Sequence, residues 1–174
     1  MEQSSVHPPQ ELPRLLSMTL NIREFSRSWQ HCDSLSNFLG RAVSADKKDS
    51  FRYENMVSTV INEVLEALYH NHGSEESAEL GIGIDGSKLE FSIIFVPDRA
   101  SSAFYEEVAR SLSDGNVQER YEKFLLADKE VAPGLAGFLE IASTCDARVS
   151  ISTSENNPRM SIAVILDMDR LLKE

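Results

Sequence analysis

Cysteine is scarce in this sequence. Only Cys32 and Cys145 occur in 174 residues, far apart and outside any CxxC spacing, which argues against a disulfide framework and suits a reducing compartment. Basic residues are also short. Seventeen Lys and Arg stand against 28 Asp and Glu, leaving a formal charge of −11. A surface this acidic repels phosphate backbones and anionic lipid, so neither nucleic acid nor a membrane surface is expected as the main partner. No apolar run approaches the ~18 residues of a membrane helix. The opening MEQSSVHPPQELPRLL lacks the basic-then-apolar layout of a signal peptide, and a cytoplasmic protein is the expectation. Neither a GxSxG elbow nor a Walker-type loop is present. In His70-Asn71-His72 the two imidazoles are two residues apart and do not share a helix face, so no metal site is expected. Trp29 and the phenylalanines are expected to pack rather than stack on a base.

What the chain does hold is enough apolar material, 41% of residues, for one domain with a real core. Residues 1–14, with Pro8, Pro9 and Pro13, read as a flexible tail, and 15–174 as a single domain. Met18, Leu20 and Ile22 alternate with polar residues as in a half-buried strand. Leu35, Phe38, Leu39, Ala42 and Val43 recur at helical spacing behind Asp33 or Ser34 as N-cap, predicting a helix over 34–45.

The strongest signal follows. Met56, Val57, Val60, Ile61, Val64, Leu65 and Leu68 form one stripe of a helix over 51–71, with Gly73 placed as its stop and Asn62, Glu63, Glu66 and Ala67 on the other and flanking faces. The period then changes to two. Leu80, Ile82 and Ile84, then Leu89, Phe91, Ile93 and Phe95, flank Asp85-Gly86 as a hairpin that ends at Pro97-Asp98. Helices are predicted over 102–113 and 117–128, and a third after Pro133-Gly134 carrying Leu135, Phe138, Leu139, Ile141 and Ala142. A last hairpin runs from Val149, Ile151 and Thr153 to Met160, Ile162, Val164 and Leu166. The economical arrangement is an α/β (α+β) sandwich, a mixed, largely antiparallel sheet covered on one face by helices.

This order resembles the GHKL, or Bergerat-like, ATP-binding fold of histidine kinases, gyrase and anti-sigma-factor kinases. Val60-Ile61-Asn62-Glu63-Val64-Leu65-Glu66-Ala67-Leu68 resembles the family's N-box helix. Ile93-Ile94-Phe95-Val96-Pro97-Asp98 falls where its acidic motif begins, and Pro133-Gly134-Leu135-Ala136-Gly137-Phe138-Leu139 is similar to its glycine-rich turn and helix. The small bacterial switch kinases of partner-switching systems, and the SiaB-like regulators, are the members it looks most like. The resemblance implies a small STAS-like or SiaC-like partner protein, a possible homodimer, and a site for ATP and Mg²⁺.

Carried over residue by residue, Glu63 matches the acid that orients the attacking group. Ala67 stands where the family's Mg²⁺-binding asparagine belongs, and it has no oxygen to offer. Another register pairs Asn62 with Glu66. Asp98 matches the adenine-binding aspartate, but Arg99-Ala100-Ser101-Ser102 replaces the glycines that follow it in the family, and Cβ atoms there restrict close approach. Gly134 and Gly137 match a phosphate-facing turn at a helix N-terminus. The plainer reading makes Asn62, Glu63 and Glu66 solvated polar residues, Asp98 a strand-ending turn, and Pro133-Gly134 an ordinary helix entry. Two functions follow as expectations: a partner-binding signalling regulator with a degenerate nucleotide site, or an active ATP-dependent protein Ser/Thr kinase whose metal is held by Asn62 or Glu66.

Overall fold

Twenty-one residues with apolar groups at helical spacing make the central element of the computed structural model, which describes residues 12–73, 76–113, 115–126, 134–154 and 157–171. In chain order the elements are β1 (Arg14–Asn21), α1 (Ile22–Phe25), α2 (Gln30–Ser44), α3 (Ser50–His70), β2 (Ser77–Asp85), β3 (Lys88–Phe95), α4 (Arg99–Ser113), α5 (Val117–Leu126), α6 (Leu135–Thr144), β4 (Arg148–Ser154), β5 (Asn157–Asp167) and α7 (Met168–Leu171). Of the expected tail, residues 1–11 lie outside the described residues, and Arg14 already opens β1. Pro133 and the expected helical residues 127 and 128 also lie outside them.

The strands form one sheet in the order β1-β2-β3-β5-β4, and every neighbouring pair is antiparallel. In the β2–β3 hairpin Asp85 pairs with Lys88, and Gly86 takes φ +58° in the turn between them, a conformation that suits glycine. Alternation then does the sorting. Leu80, Ile82, Leu89, Phe91, Ile93, Phe95, Ile162, Val164 and Leu166 are buried with the helices in one core. The other face carries small or polar groups such as Gly81, Ser92 and Ala163, and there the Arg14 guanidinium crosses Gly81 to donate to Ser92 Oγ at 3.0 Å.

Helix α3 is capped by Asp49, whose side chain accepts from the Arg52 N–H, and it ends at Asn71, whose N–H and amide both donate to the Ala67 carbonyl. Gly73 is therefore not its stop. It is a close-approach glycine, since a Cβ there would lie 2.2 Å from the Val96 carbonyl oxygen. Val57, Val60, Ile61, Val64, Leu65 and Leu68 are buried as predicted, each contributing roughly 1.5–3 kcal/mol. Ala67, expected on the polar side, is fully buried as well.

Helix α2 differs from the expectation in an instructive way. It starts at Gln30 behind Trp29, and its buried face is Cys32, Ser36, Leu39, Gly40 and Val43, while Phe38 and Ala42 are exposed. The reason is steric. A Cβ on Gly40 would sit 3.0 Å from the Glu54 carbonyl oxygen and 3.1 Å from Ser58 Cβ, so α2 lies so close to α3 that small residues must occupy the contact. Trp29, Phe38 and Phe51 are consequently not packed but exposed by 60%, 57% and 72%. Helix α4 begins at Arg99, earlier than expected, because Asp98 accepts from the backbone N–H and the hydroxyl of Ser101.

At the centre of the core Tyr105 packs edge-on against Phe95, Phe104 and Phe138, and its buried hydroxyl has no hydrogen-bond partner among the described residues. Burial pushes that phenol far above its ordinary range. An unpaired buried hydroxyl costs about 1–3 kcal/mol. Tyr105→Phe is thus expected to stabilise the fold by about 1 kcal/mol in urea unfolding, and a loss of that size would show that the hydroxyl has a partner after all.

Candidate functional site

The polar residues of α3 occupy a narrow strip between the parts that are buried, and they diverge. Asn62 donates from Nδ2 to Glu66 Oε1 at 2.7 Å, one turn further on, while its own Oδ1 is buried and has no partner among the described residues. Glu66 lines a shallow cleft of about 380 Å³ with Trp29, Tyr69 and His70. From the same position it acts on Cys32 of α2, whose thiol is pushed up to about 12, first by burial and then by the Glu66 charge. A thiol held that far above neutrality is not a nucleophile.

Glu63 faces the other way, towards α6. Its carboxyl lies against Gly137, where a Cβ would meet Oε2 at 2.0 Å. One turn along, Gly134 sits on Ala67, where a Cβ would be 2.8 Å from both Cα and Cβ of the alanine and 3.3 Å from Phe104 Cζ. Gly134 holds φ +94° as N-cap of α6, the left-handed geometry that glycine adopts freely. The turn and the helix behind it are thereby laid directly on α3. Gly134, Gly137 and the Asn62–Ala67 segment do come together, but helix against helix.

Burial holds Glu63 well above the ordinary carboxylate value of 4.5, at about 7, and the charges of Glu66 and Glu140 add to it. Glu140 belongs to α6. Tyr121 of α5 lies near it, and the phenol of Tyr121 is raised by burial, by Glu140 and by Glu63. Three helices therefore meet on an acidic cluster of two carboxyls and a phenol, with Glu66 just beyond. Glu140 and Tyr121 were not singled out from the sequence. A signal existed for the first, since Glu140 is the only charged residue in the apolar run of α6; for Tyr121 there was none, because only the folded chain brings α5 alongside.

Asp98 takes a different part. It is exposed, spends its carboxylate on Ser101, and is lowered from its ordinary value by the Ser101 backbone and hydroxyl hydrogen bonds. Its other electrostatic neighbour is His72. Among the described residues no group of three His, Cys, Asp or Glu is placed to hold a metal ion, and no helix is long and apolar enough to cross a membrane.

No family model matches this sequence, and no curated protein matches it closely enough to be a relative.

The α3–α6 contact has a direct mutational consequence. Gly134→Ala places a methyl group against the Ala67 backbone in a left-handed conformation, and about 2–4 kcal/mol of lost stability is expected in denaturant unfolding. Ala67→Asn is expected to cost a similar amount by pushing on the same turn; if either variant unfolds like the parent, the two helices are not in contact there.

Proposed function

We propose that this chain is a regulatory interaction protein of GHKL-like build, acting in a bacterial partner-switching circuit, whose nucleotide cleft has been given over to helix packing. The order of elements, the helices on one side of an antiparallel sheet and the long helix bearing Glu63 all support the resemblance. The single observation that carries the regulatory reading is the seat of Gly134 on Ala67 and of Gly137 on Glu63, which takes the space along the N-box-like helix where Mg²⁺ and phosphates would lie. The missing asparagine and the seated turn fit one another, because only a small residue at 67 admits the glycine backbone.

The partner in this reading is a small STAS-like or SiaC-like protein. It docks on α4–α5, where Leu125 and Leu126 are exposed by 64% and 86% at the end of α5. A homodimer through β1 belongs to the same proposal: β1 is an edge strand, and residues 15–22 carry no charged side chain in a chain of net charge −11.

A second reading has one observation in its favour. Glu63 titrates near neutrality, where a general base works best, as an active Ser/Thr kinase would need. Thermal unfolding with Mg·ATP separates the two. Any ligand that binds the native state must stabilise it, by about 2.7 kcal/mol at a hundredfold excess over Kd. Millimolar Mg·ATP is expected to leave Tm where it is, and a saturable rise would replace the regulator with the kinase. In parallel, a STAS-domain protein from the same cell is expected to co-elute with the chain on size exclusion, and Leu125→Asp with Leu126→Asp to abolish co-elution without lowering Tm.

A further inference from the structure

The contact between α3 and α6 is unusual in what it encloses. Gly137 has no side chain, and the Glu63 carboxyl fills the space a Cβ would need. Around that carboxyl stand Glu66 from its own helix, Glu140 from α6 and Tyr121 from α5, so the charged groups acting on it from these elements are acidic. From α2, Cys32 couples to Glu66 instead. A protonated Glu63 is a neutral, compact group that suits such a seat. An ionised one is a partly desolvated anion among acidic neighbours, at a helix crossing built on glycine. We propose that this crossing is a proton-operated latch: with Glu63 protonated α6 is docked on α3, and loss of that proton makes transient opening of α6, and with it exposure of the Asn62–Ala67 strip, more frequent. This inference stands apart from the regulatory reading, because it needs only the α3–α6 contact and the groups within it.

The direction follows from linkage. The docked state holds the Glu63 proton to about 7, whereas a hydrated carboxyl releases it near 4.5. Docking is therefore most favourable below 4.5, weakens as pH rises towards 7, and is at its weakest above. Helix α5 packs on α6 and should move with it. The core strands β3 and β5 carry no part of this contact and serve as the internal reference.

Hydrogen exchange of the whole chain, followed by mass spectrometry from pH 4.5 to 8.5 and corrected for intrinsic exchange rates, reads the latch. Opening of the segment 135–144 relative to β3 is expected to grow by on the order of a hundredfold up to pH 7 and then level off. Glu63→Gln is expected to keep the segment protected at every pH. Should that variant fail to fold, Glu140→Gln still decides the matter, because removing a like charge must move the midpoint of opening to lower pH. A wild-type ratio that is flat across this range, a Glu63→Gln curve that follows the wild type, or an unmoved midpoint in Glu140→Gln would each overturn the latch.

Discussion

The close approach of α3 to its neighbours is the constraint on which the other features rest. Six of its apolar side chains are fully or almost fully buried, each stabilising the fold by roughly 1.5–3 kcal/mol. That sum easily outweighs the few kcal/mol at most that a desolvated carboxyl such as Glu63 costs. The helix is thus free to carry an unfavourable group at its centre. What it cannot carry is bulk at its crossings. Gly40 meets Glu54 and Ser58 on one side, and Gly134 and Gly137 meet Ala67 and Glu63 on the other. Backbone approach of this kind excludes water, and exclusion of water is the leading reason that Glu63 holds its proton to about 7. Packing geometry and acid–base behaviour here have a single origin.

Most of the architecture was legible because strands and the long helix write themselves in periodicity. Alternation placed β2, β3 and β5 with the correct faces inward, and the stripe of α3 was read almost residue for residue. Reading failed where contact selects for size rather than hydrophobicity. On α2 the apolar count favoured Phe38 and Ala42, yet the buried face runs through Ser36 and Gly40, because a helix in near contact with another presents its smallest groups. Ala67 and Gly73 were misplaced for the same reason, one assigned to a polar face and the other to a helix stop. The candidate site divides along this line. Asn62, Glu63, Glu66, Gly134 and Gly137 could be picked out by type and spacing, but that two of these glycines rest on α3 is a fact of tertiary contact.

Ala67, Gly134 and the residues after Asp98 are easier to understand as a set than singly. Asparagine at 67 would collide with the Gly134 turn, and glycine at 134 would be an unneeded conformational freedom if the helix stood clear of α3. Glycine is likewise missing after Asp98, where the carboxylate is engaged by Ser101 at the start of α4 and the chain goes directly into helix. Each of these residues helps to close the layer of helices.

A carboxyl at position 63 is hard to attribute to stability. A buried acidic group among like charges is commonly replaced by an apolar residue without loss, since the desolvation cost outruns any pairing it gains, and here the charges around it repel rather than pair. A leucine or methionine would fill the space over Gly137 at lower cost. Glutamate supplies what neither of those does, a change of charge within the range of pH that cells traverse, set where α6 crosses α3 on Gly137. A contact built for strength alone would have no use for that group, whereas a contact that has to come apart under defined conditions needs something of this kind at its centre.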